Sequence, residues 1–279
     1  MELWFTEYTN KTSGITIKIK RQLDHRVSEF QTIDVFETHY YGNLMVIDGY
    51  IMLTEFDEFV YHENLTHVPT QFLQNPEKAL IIGGGDGGTA RELLKYPSIK
   101  KIDMIEIDRE VCEVSKLYFK NLSVSFKDPR LNLHYEDGAK FVKNRTESYD
   151  LIVIDSTDPV GPGEVLFTEE FYNNCSKILK TGGILTAQTE SPFDKEYLNP
   201  IRQIYKNLRK SFNYVSMYLG HIPTYPFGTW SFAFASNWVD PLKSEIKNSY
   251  LPEGLRYYNR ELGKSIFTLP NFVKEIIDE

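Results

Sequence analysis

The spacing of apolar and polar positions changes near residue 57. Before it, apolar residues recur every second position over 15–19, and further strands are indicated over 30–36 and 44–53 between turn signals. A period of two indicates strands with one buried face, and the Asp-Gly pair at 48–49 is a hairpin turn signal. We therefore predict a small antiparallel β domain over residues 1–57.

After residue 57, apolar runs alternate with segments of helical period. A helical pattern begins near residue 59. A pair of strands is expected to close the sheet over 214–222 and 230–236. A short helix is expected over 270–277, at the periphery of the domain. The remaining elements are predicted strands over 79–83, 101–107, 132–136, 149–154 and 184–189, and helices over 89–96, 108–120, 168–179 and 194–211. Strands that alternate with helices predict a doubly wound, Rossmann-like α/β domain over 58–279 with a parallel sheet.

A glycine-rich turn joins the first strand of this domain to its helix. Gly83, Gly85 and Gly88 have the spacing of a dinucleotide-binding fingerprint. Asp86 opposes that interpretation, because it stands where a pyrophosphate would meet the helix N-terminus, and a carboxylate repels phosphate. Asp86 could instead cap the helix. A nucleoside with a positively charged reactive end, such as a sulfonium, suits both the fold and Asp86.

Carboxylates follow the predicted strands one after another. In open α/β sheets ligands bind at the carboxyl ends of the strands, so these side chains are expected at one cleft. Glu106 has the spacing of a ribose-binding acid, and Asp137 with Gly138 could contact an adenine. For a single carboxylate, helix capping is the commoner role. The series comprises Asp86, Glu106, Asp137, Asp155 and Glu190, and together it predicts a cleft that favours positive charge.

Composition narrows the classes of function. The chain has 279 residues, a net charge of −8 and 41% hydrophobic residues. This acidity disfavours nucleic acid as a general partner and is compatible with cationic substrates. No apolar run reaches the length of a membrane span, and we find no signal peptide. Two cysteines without metal spacing suit buried thiols in the cytoplasm, and His39, His62 and His67 form no zinc pattern. We therefore expect a cytoplasmic protein without a metal site.

Four motifs, in order and at family-like separations, resemble the spermidine synthase family of aminopropyltransferases along essentially the whole chain. They are Asp57-Glu58-Phe59-Val60-Tyr61-His62-Glu63, the turn from Gly83 to Gly88, the loop from Asp155 to Pro162 and Pro223-Thr-Tyr-Pro-Phe-Gly228. The resemblance implies a class I methyltransferase-like α/β domain behind the β domain. It also implies transfer of an aminopropyl group from decarboxylated S-adenosylmethionine to putrescine, which yields spermidine and 5′-methylthioadenosine. No metal or redox cofactor is implied, since the nucleoside is a co-substrate.

The resemblance also assigns roles to individual residues. Asp155 matches the catalytic aspartate, with Tyr61 beside it, and is expected to act as the general base. The implied donor contacts are Gln31, His62, Gly83, Gly85, Asp86, Glu106, Asp137 and Gly138. The implied acceptor contacts are Trp4, Tyr61, Asp155, Asp158, Gln188 and Tyr225. Phe227 and Thr229 depart from the common pattern around Gly228, which leaves the preferred length of the diamine open.

Other functions remain open from the sequence. An NAD-dependent dehydrogenase fits the glycines but not Asp86, and a methyltransferase that uses S-adenosylmethionine would set Asp86 against the methionine carboxylate. A polyamine-binding protein without catalysis would keep the acids. Among aminopropyltransferases, agmatine, cadaverine or spermidine could replace putrescine as acceptor. The resemblance and the sheet edges of a small β domain further predict a homodimer or homotetramer.

Overall fold

The computed structural model describes residues 2–157 and 161–278. Its first part is an antiparallel sheet in which the five strands are neighbours in chain order. The strands are β1 (Leu3–Asn10), β2 (Ser13–Val27), β3 (Thr32–Thr38), β4 (Asn43–Ile47) and β5 (Tyr50–Thr54). Asp48 and Gly49 both have positive φ between β4 and β5, the geometry that a two-residue hairpin of this hand requires.

The second part is a seven-stranded sheet in the order β11-β12-β10-β9-β6-β7-β8. Its strands are β6 (Lys78–Gly83), β7 (Lys101–Glu106), β8 (Leu131–Tyr135), β9 (Tyr149–Asp155), β10 (Leu179–Gln188), β11 (Tyr214–His221) and β12 (Thr229–Ser236). Strands β6 to β10 run parallel, whereas β12 is antiparallel to both of its neighbours. The predicted fold class, a doubly wound sheet behind a small β domain, is confirmed.

Helices cover the faces of this sheet. They are α1 (Glu58–Thr70), α2 (Gly88–Leu94), α3 (Arg109–Tyr118), α4 (Lys120–Ser123), α5 (Gly138–Lys143), α6 (Glu169–Lys177), α7 (Leu198–Ser211), α8 (Arg260–Ser265) and α9 (Asn271–Asp278). α1 is buried along almost its whole length, because it packs against α2 and against strands β9, β10, β11 and β12 of the larger sheet. It carries the motif from Asp57 to Glu63 into the interior.

Strand order sets the position of the ligand cleft. The chain places β7 and β8 on one side of β6 and places β9 and β10 on the other, so the direction of winding reverses between β6 and β9. Gly83 pairs with Asp155 where these two strands end. A doubly wound sheet binds ligands at such a switch point, and the glycine turn and the aspartate therefore face one cleft.

The β domain packs onto α3 and α4 through a shared apolar cluster. Ile33, Val35 and Met45 meet Val114 and Phe119 there, and all five are at most 1% exposed. Burial of this size removes most of the apolar area of these side chains from water. The first sheet is thereby fixed over the carboxyl ends of β6 and β7.

The C-terminal segment is not peripheral, so that expectation was wrong. Val273 and Ile276 of α9 are buried in the main core cluster beside α7. Further upstream, the carboxylate of Glu63 accepts hydrogen bonds from three consecutive backbone N–H groups, those of Arg256, Tyr257 and Tyr258, at 2.8–2.9 Å. A sequence pattern could not reveal this because the carboxylate binds backbone groups that any sequence supplies.

None of the helices among the described residues is both long and apolar enough to cross a membrane.

Candidate active site

A cavity of about 510 Å³ opens at the carboxyl ends of β6, β7 and β9. The hairpin of β4 and β5 closes it from above, with Met45, Ile47 and Met52 in its wall. Most residues expected at the site line this cavity: Gln31, Tyr61, His62, Gly83, Gly85, Asp86, Glu106, Asp137, Gly138, Asp155, Gln188 and Tyr225. Asp158 lies outside the described residues.

The glycine turn packs directly against two of the strand-end acids. Gly83 has a φ of +84°, and a Cβ there would lie 2.0 Å from the backbone oxygen of Asp155. The same oxygen accepts a 2.7 Å bond from the N–H of Gly84. At Gly85 a Cβ would lie 2.8 Å from a carboxylate oxygen of Glu106. These glycines are needed because the turn approaches the acids more closely than a side chain permits.

Asp155 ends β9 with both carboxylate oxygens bound. Oδ1 accepts a 2.8 Å bond from the Tyr61 hydroxyl, and Oδ2 accepts a 2.6 Å bond from the Thr89 hydroxyl. Burial and the neighbouring charge of Asp86 raise the pKa of Asp155 to about 6, and the two hydroxyl donors oppose that rise. A carboxylate with such a pKa is a stronger base than an exposed one and is still ionised at neutral pH.

Asp86 contacts both the glycine turn and a cationic side chain, and its contact with a ligand stays a prediction. Its Oδ1 accepts a 2.5 Å bond from the N–H of Gly88, which is a helix-terminus contact. The same oxygen lies 3.2 Å from Nε2 of His62. Burial alone would lower the pKa of His62, but Asp86 and Glu58 together raise it well above its usual value. His62 is therefore an imidazolium, and it binds an acid that faces the cavity.

Glu106 follows β7 and is nearly enclosed. Its Oε1 accepts a 2.8 Å bond from the N–H of Asp108. Burial raises the pKa of Glu106 to about 7, and the charges of Asp108 and Asp155 add to the rise. Such a carboxyl becomes a good acceptor for two vicinal hydroxyls once it loses its proton.

Asp137 and Gln31 line the same end of the cavity as Glu106, and each is held by hydrogen bonds. Asp137 caps α5 by accepting from the N–H groups of Ala139 and Lys140, at 2.9 and 3.1 Å. The side-chain amide of Gln31 donates to Asp108 at 3.0 Å, so the β domain is tied to the loop after β7. Asp137 is thus a helix cap that also lines the cavity.

The opposite end of the cavity is aromatic. The rings of Tyr61 and Tyr225 lie 6.1 Å apart, and Trp230 packs edge-on against Tyr225 at 4.8 Å. Trp230 donates a 3.0 Å bond to the Gln188 side-chain oxygen, while the Gln188 amide donates to the Ser156 carbonyl at 3.2 Å. Gln188 therefore also supports the loop that follows Asp155.

Trp4 stands apart from the other expected residues. Its side chain on β1 is 52% exposed, and Lys18 Nζ lies 5.6 Å from the centre of its ring. It is not among the residues that line the cavity. Its acceptor role stays a prediction.

Several residues of the cavity were not among the site residues that the sequence predicted. Glu7 is a buried acid on the apolar face of β1, and its Oε2 accepts from the Ile51 N–H at 2.7 Å. Trp230 and Glu58 also line the cavity, and Thr89 binds Asp155. An acid at an inward-facing strand position, as at Glu7, is the one pattern that could have pointed to the cleft. Glu190, by contrast, is buried with a φ of +75° and does not line the cavity.

One group in the described chain has spacing that a metal could use. Ligand atoms of His62, Asp86 and Asp155 all lie within 4.8 Å of one another. The spacing of the histidines does not reveal this group, because two of its three members are aspartates. Nε2 of His62 pairs with Asp86 at 3.2 Å, and the raised pKa of the imidazole favours its protonated form, which does not bind a metal.

A doubly wound sheet with an acidic cleft at its switch point is typical of α/β enzymes that bind their ligand there. Residues 58–244 match the family model described as the spermine/spermidine synthase domain, and residues 3–55 match the spermidine synthase tetramerisation domain. The chain belongs to the spermine/spermidine synthase family and is a polyamine aminopropyltransferase.

Relatives of known name match over the full chain. The polyamine aminopropyltransferase of Alkaliphilus metalliredigens is 48% identical over 281 residues, which cover all of this chain and 99% of the relative. That of Clostridium perfringens is 47% identical over 279 residues, with the same coverage.

Two crystal structures share the fold. A spermidine synthase in complex with the transition-state analogue AdoDATO is 43% identical, with a TM-score of 0.94 over 99% of this chain and 95% of that one. Spermidine synthase from Thermotoga maritima is 42% identical, with a TM-score of 0.93 over 99% and 94%. The resemblance to this family that the motifs carried is confirmed.

Proposed function

We propose that this enzyme transfers the aminopropyl group of decarboxylated S-adenosylmethionine to putrescine, with Asp155 as the general base. The observation that carries this proposal is the position of Asp155. It is an acid with a raised pKa, bound by Tyr61 and Thr89, at the switch point of the sheet. The crystal structure of a related spermidine synthase with AdoDATO supports the choice of donor.

The donor would lie along the ends of β6, β7 and β8. Glu106 would accept from the ribose hydroxyls, with Gln31 at the edge of this end, and Asp137 with Gly138 would border the adenine. Asp86, held by His62, would accept from the terminal ammonium of the aminopropyl arm. A charge-assisted bond of this kind is worth about 1.5–3 kcal/mol. Gly83 and Gly85 let the nucleoside approach the backbone of the turn.

The acceptor would enter from the aromatic end. Tyr61 and Tyr225 would enclose the alkyl stem, and Asp155 would face the attacking nitrogen. Asp158 and Gln188 are proposed for the far ammonium, and Trp4 for the entrance. An alkyl ammonium has a pKa of about 10, so the amine arrives protonated and cannot attack. Asp155 would remove that proton, directly or through a water.

The bond changes then balance within the site. The free amine attacks the methylene next to the sulfonium, a C–N bond forms, and the C–S bond breaks with its electron pair staying on sulfur. The leaving group is neutral 5′-methylthioadenosine, and the removed proton passes from Asp155 to solvent. Much of the acceleration would come from holding two flexible cations in line, because they repel each other in water.

The reaction needs no metal in this proposal, because the sulfonium is already an activated leaving group. We propose further that the β domain assembles the enzyme into a homodimer or homotetramer in the cytoplasm. Light scattering at micromolar concentration should give a mass of two or four chains, and a monomer would contradict the assembly.

An amine panel tests the function. The enzyme is incubated with the decarboxylated donor and putrescine, cadaverine, agmatine or spermidine, and products are read by mass spectrometry. We expect methylthioadenosine with every productive amine and the highest kcat/KM with putrescine. A higher kcat/KM with another amine would refute the acceptor assignment. Turnover only with S-adenosylmethionine, and not with the decarboxylated donor, would refute the donor assignment. Activity that disappears with a chelator would refute the metal-free reaction.

A further inference from the structure

Side chains of alternating charge form a continuous row from Asp86 into the interior. His62 Nε2 lies 3.2 Å from Asp86, and His62 Nδ1 lies 2.6 Å from Glu58. Both terminal nitrogens of Arg91 then bind Glu58, at 2.9 and 3.0 Å, and its Nε binds Glu92 at 2.9 Å. His62, Glu58 and Glu92 are at most 8% exposed. This row of charged side chains thus connects the proposed donor contact to helices α1 and α2.

Stability alone does not account for this arrangement. Removing charges from water costs several kcal/mol per ion, and well-packed apolar residues often stabilise an interior as well or better. The two buried glutamates, Glu58 and Glu92, nevertheless have pKa values that their cationic partners lower to about 2. Burial would raise the pKa of Glu58, but His62 and Arg91 lower it to about 2.

The geometry orients one atom in particular. Glu58 binds Nδ1 of His62, so the other ring nitrogen carries its N–H toward Asp86. The imidazole also lies flat against Gly88, where a Cβ would be only 2.3–2.5 Å from three ring atoms. His62 and the Gly88 N–H both bind Oδ1 of Asp86. Oδ2 takes part in neither contact and is the oxygen left to receive a ligand.

We propose that Glu58 and Arg91 are positioning residues for the donor: they hold His62 so that it fixes the Asp86 carboxylate toward the aminopropyl ammonium. Neither residue touches the reacting atoms. The bidentate contact of Arg91 fixes the plane of the Glu58 carboxylate, Glu58 fixes the imidazole, and His62 fixes Asp86. This inference rests on the proposed function, in which Asp86 receives that ammonium.

Methylthioadenosine provides the internal reference, because it is the nucleoside without the aminopropyl arm. The quantity to measure is the ratio of two dissociation constants from calorimetry, that of methylthioadenosine over that of the decarboxylated donor. Contacts to adenine and ribose cancel in this ratio. Glu58→Gln and Arg91→Lys should each lower the ratio by about tenfold, the order expected when one charge-assisted hydrogen bond is misplaced. Methylthioadenosine affinity should change by less than about twofold.

The pH dependence of the ratio separates positioning from general damage. His62 is faced by Glu58 and Tyr61 from α1, by Asp86 from the glycine turn and by Asp155 from β9. In Glu58→Gln the imidazole loses one of the two acids that raise its pKa, so it should lose its proton as the pH rises through neutrality. The ratio should then recover toward the wild-type value as the pH is lowered from 8 toward 7, a range in which Asp155 stays ionised. In the wild type it should stay flat over this range.

Asp103→Asn is the matched control. Asp103 is also a buried acid, bound to Tyr149 and Lys101, but it lies outside the cavity. It should lower stability without changing the ratio. If Glu58→Gln or Arg91→Lys weakens both ligands equally, these charged side chains only support the fold of the site, and the inference is overturned.

Asp86→Asn distinguishes this failure from that of the proposed function. A ratio that falls in Asp86→Asn but not in the Glu58 and Arg91 variants overturns the positioning role alone. A ratio that is unchanged in Asp86→Asn overturns the donor contact and the inference built on it.

Discussion

The hydroxyl of Tyr61 donates a 2.8 Å hydrogen bond to Oδ1 of Asp155, and the two residues are 94 positions apart in the chain. Tyr61 belongs to α1, which follows the β domain in the chain and packs against the larger sheet, and Asp155 ends the strand at the switch point. The bond therefore connects the segment that joins the two sheets to the proposed base. Because Thr89 binds the other oxygen, the carboxylate is held in one plane.

Replacement of the base is the most direct test of the chemistry. Asp155→Asn keeps the volume and the two hydroxyl partners but cannot accept a proton. We expect the variant to bind donor and acceptor and to lose turnover by roughly 10²–10⁴-fold, the usual contribution of a positioned base. Single-turnover rates at neutral pH, with donor affinity as the folding control, decide it. A rate near that of the wild type would place the base elsewhere.

Removal of the Tyr61 hydroxyl should move the acid limb of the pH profile. Asp155 has a pKa of about 6, so kcat/KM for the amine should fall as the pH drops below that value. The hydroxyl favours the charged carboxylate, and Tyr61→Phe should therefore raise the pKa of Asp155 and shift the limb to higher pH. Thr89→Val, which removes the other donor, should shift it in the same direction. A limb that moves to lower pH would contradict this role for the hydroxyl.

The sequence predicted the parts of the site that depend on local spacing. The turn from Gly83 to Gly88 follows a strand, and the acids after β7 and β9 follow theirs, so their common edge could be derived. The contacts of Arg91 with Glu58 could not, because they join two helices whose relative rotation is set by packing. Similarly, Glu7 of β1 lines the cavity only because the β domain packs over the ends of the larger sheet. At Asp86 the contact with the turn uses only the oxygen Oδ1, so the contact with the turn and the proposed contact with the donor are compatible.

Glu106 should control the affinity for the nucleoside in general. Its pKa is about 7, and the proton occupies an oxygen that ribose hydroxyls would use. Affinity for methylthioadenosine should therefore fall as the pH is lowered through 7. Glu106→Gln should weaken methylthioadenosine and the decarboxylated donor by the same factor and remove this pH dependence. Calorimetry from pH 6 to 8 measures both effects, and selective loss of the donor alone would disprove the ribose role.

Glu63 belongs to the same motif as Tyr61 but should act on stability alone. Its carboxylate binds three backbone N–H groups between Arg256 and Tyr258, which fixes the C-terminal segment to α1. Glu63→Gln retains one acceptor oxygen and should lower the free energy of unfolding by about 1–3 kcal/mol, because buried N–H donors lose a charged partner. Denaturant titration measures the loss. Below the transition, kcat and KM should match those of the wild type, and a tenfold change in either would show a role in the site.

The substitution Gly88→Ala tests the position of the His62 ring by steric means, without altering a charge. The ring lies where a Cβ at residue 88 would be 2.3–2.5 Å from its atoms, a distance that forces movement. Gly88→Ala should displace the imidazole from Asp86 and weaken the decarboxylated donor by about tenfold relative to methylthioadenosine.

His62→Ala supplies the matched background. It should cause a comparable loss by itself, because Asp86 then lacks its cationic partner. In the double variant the added methyl meets empty space, so the two losses should not add, as expected for residues that act through one contact. Donor affinities of the four proteins complete the cycle. If the losses add, Gly88 acts on the donor through the backbone of the turn, and His62 is not the element that the glycine accommodates.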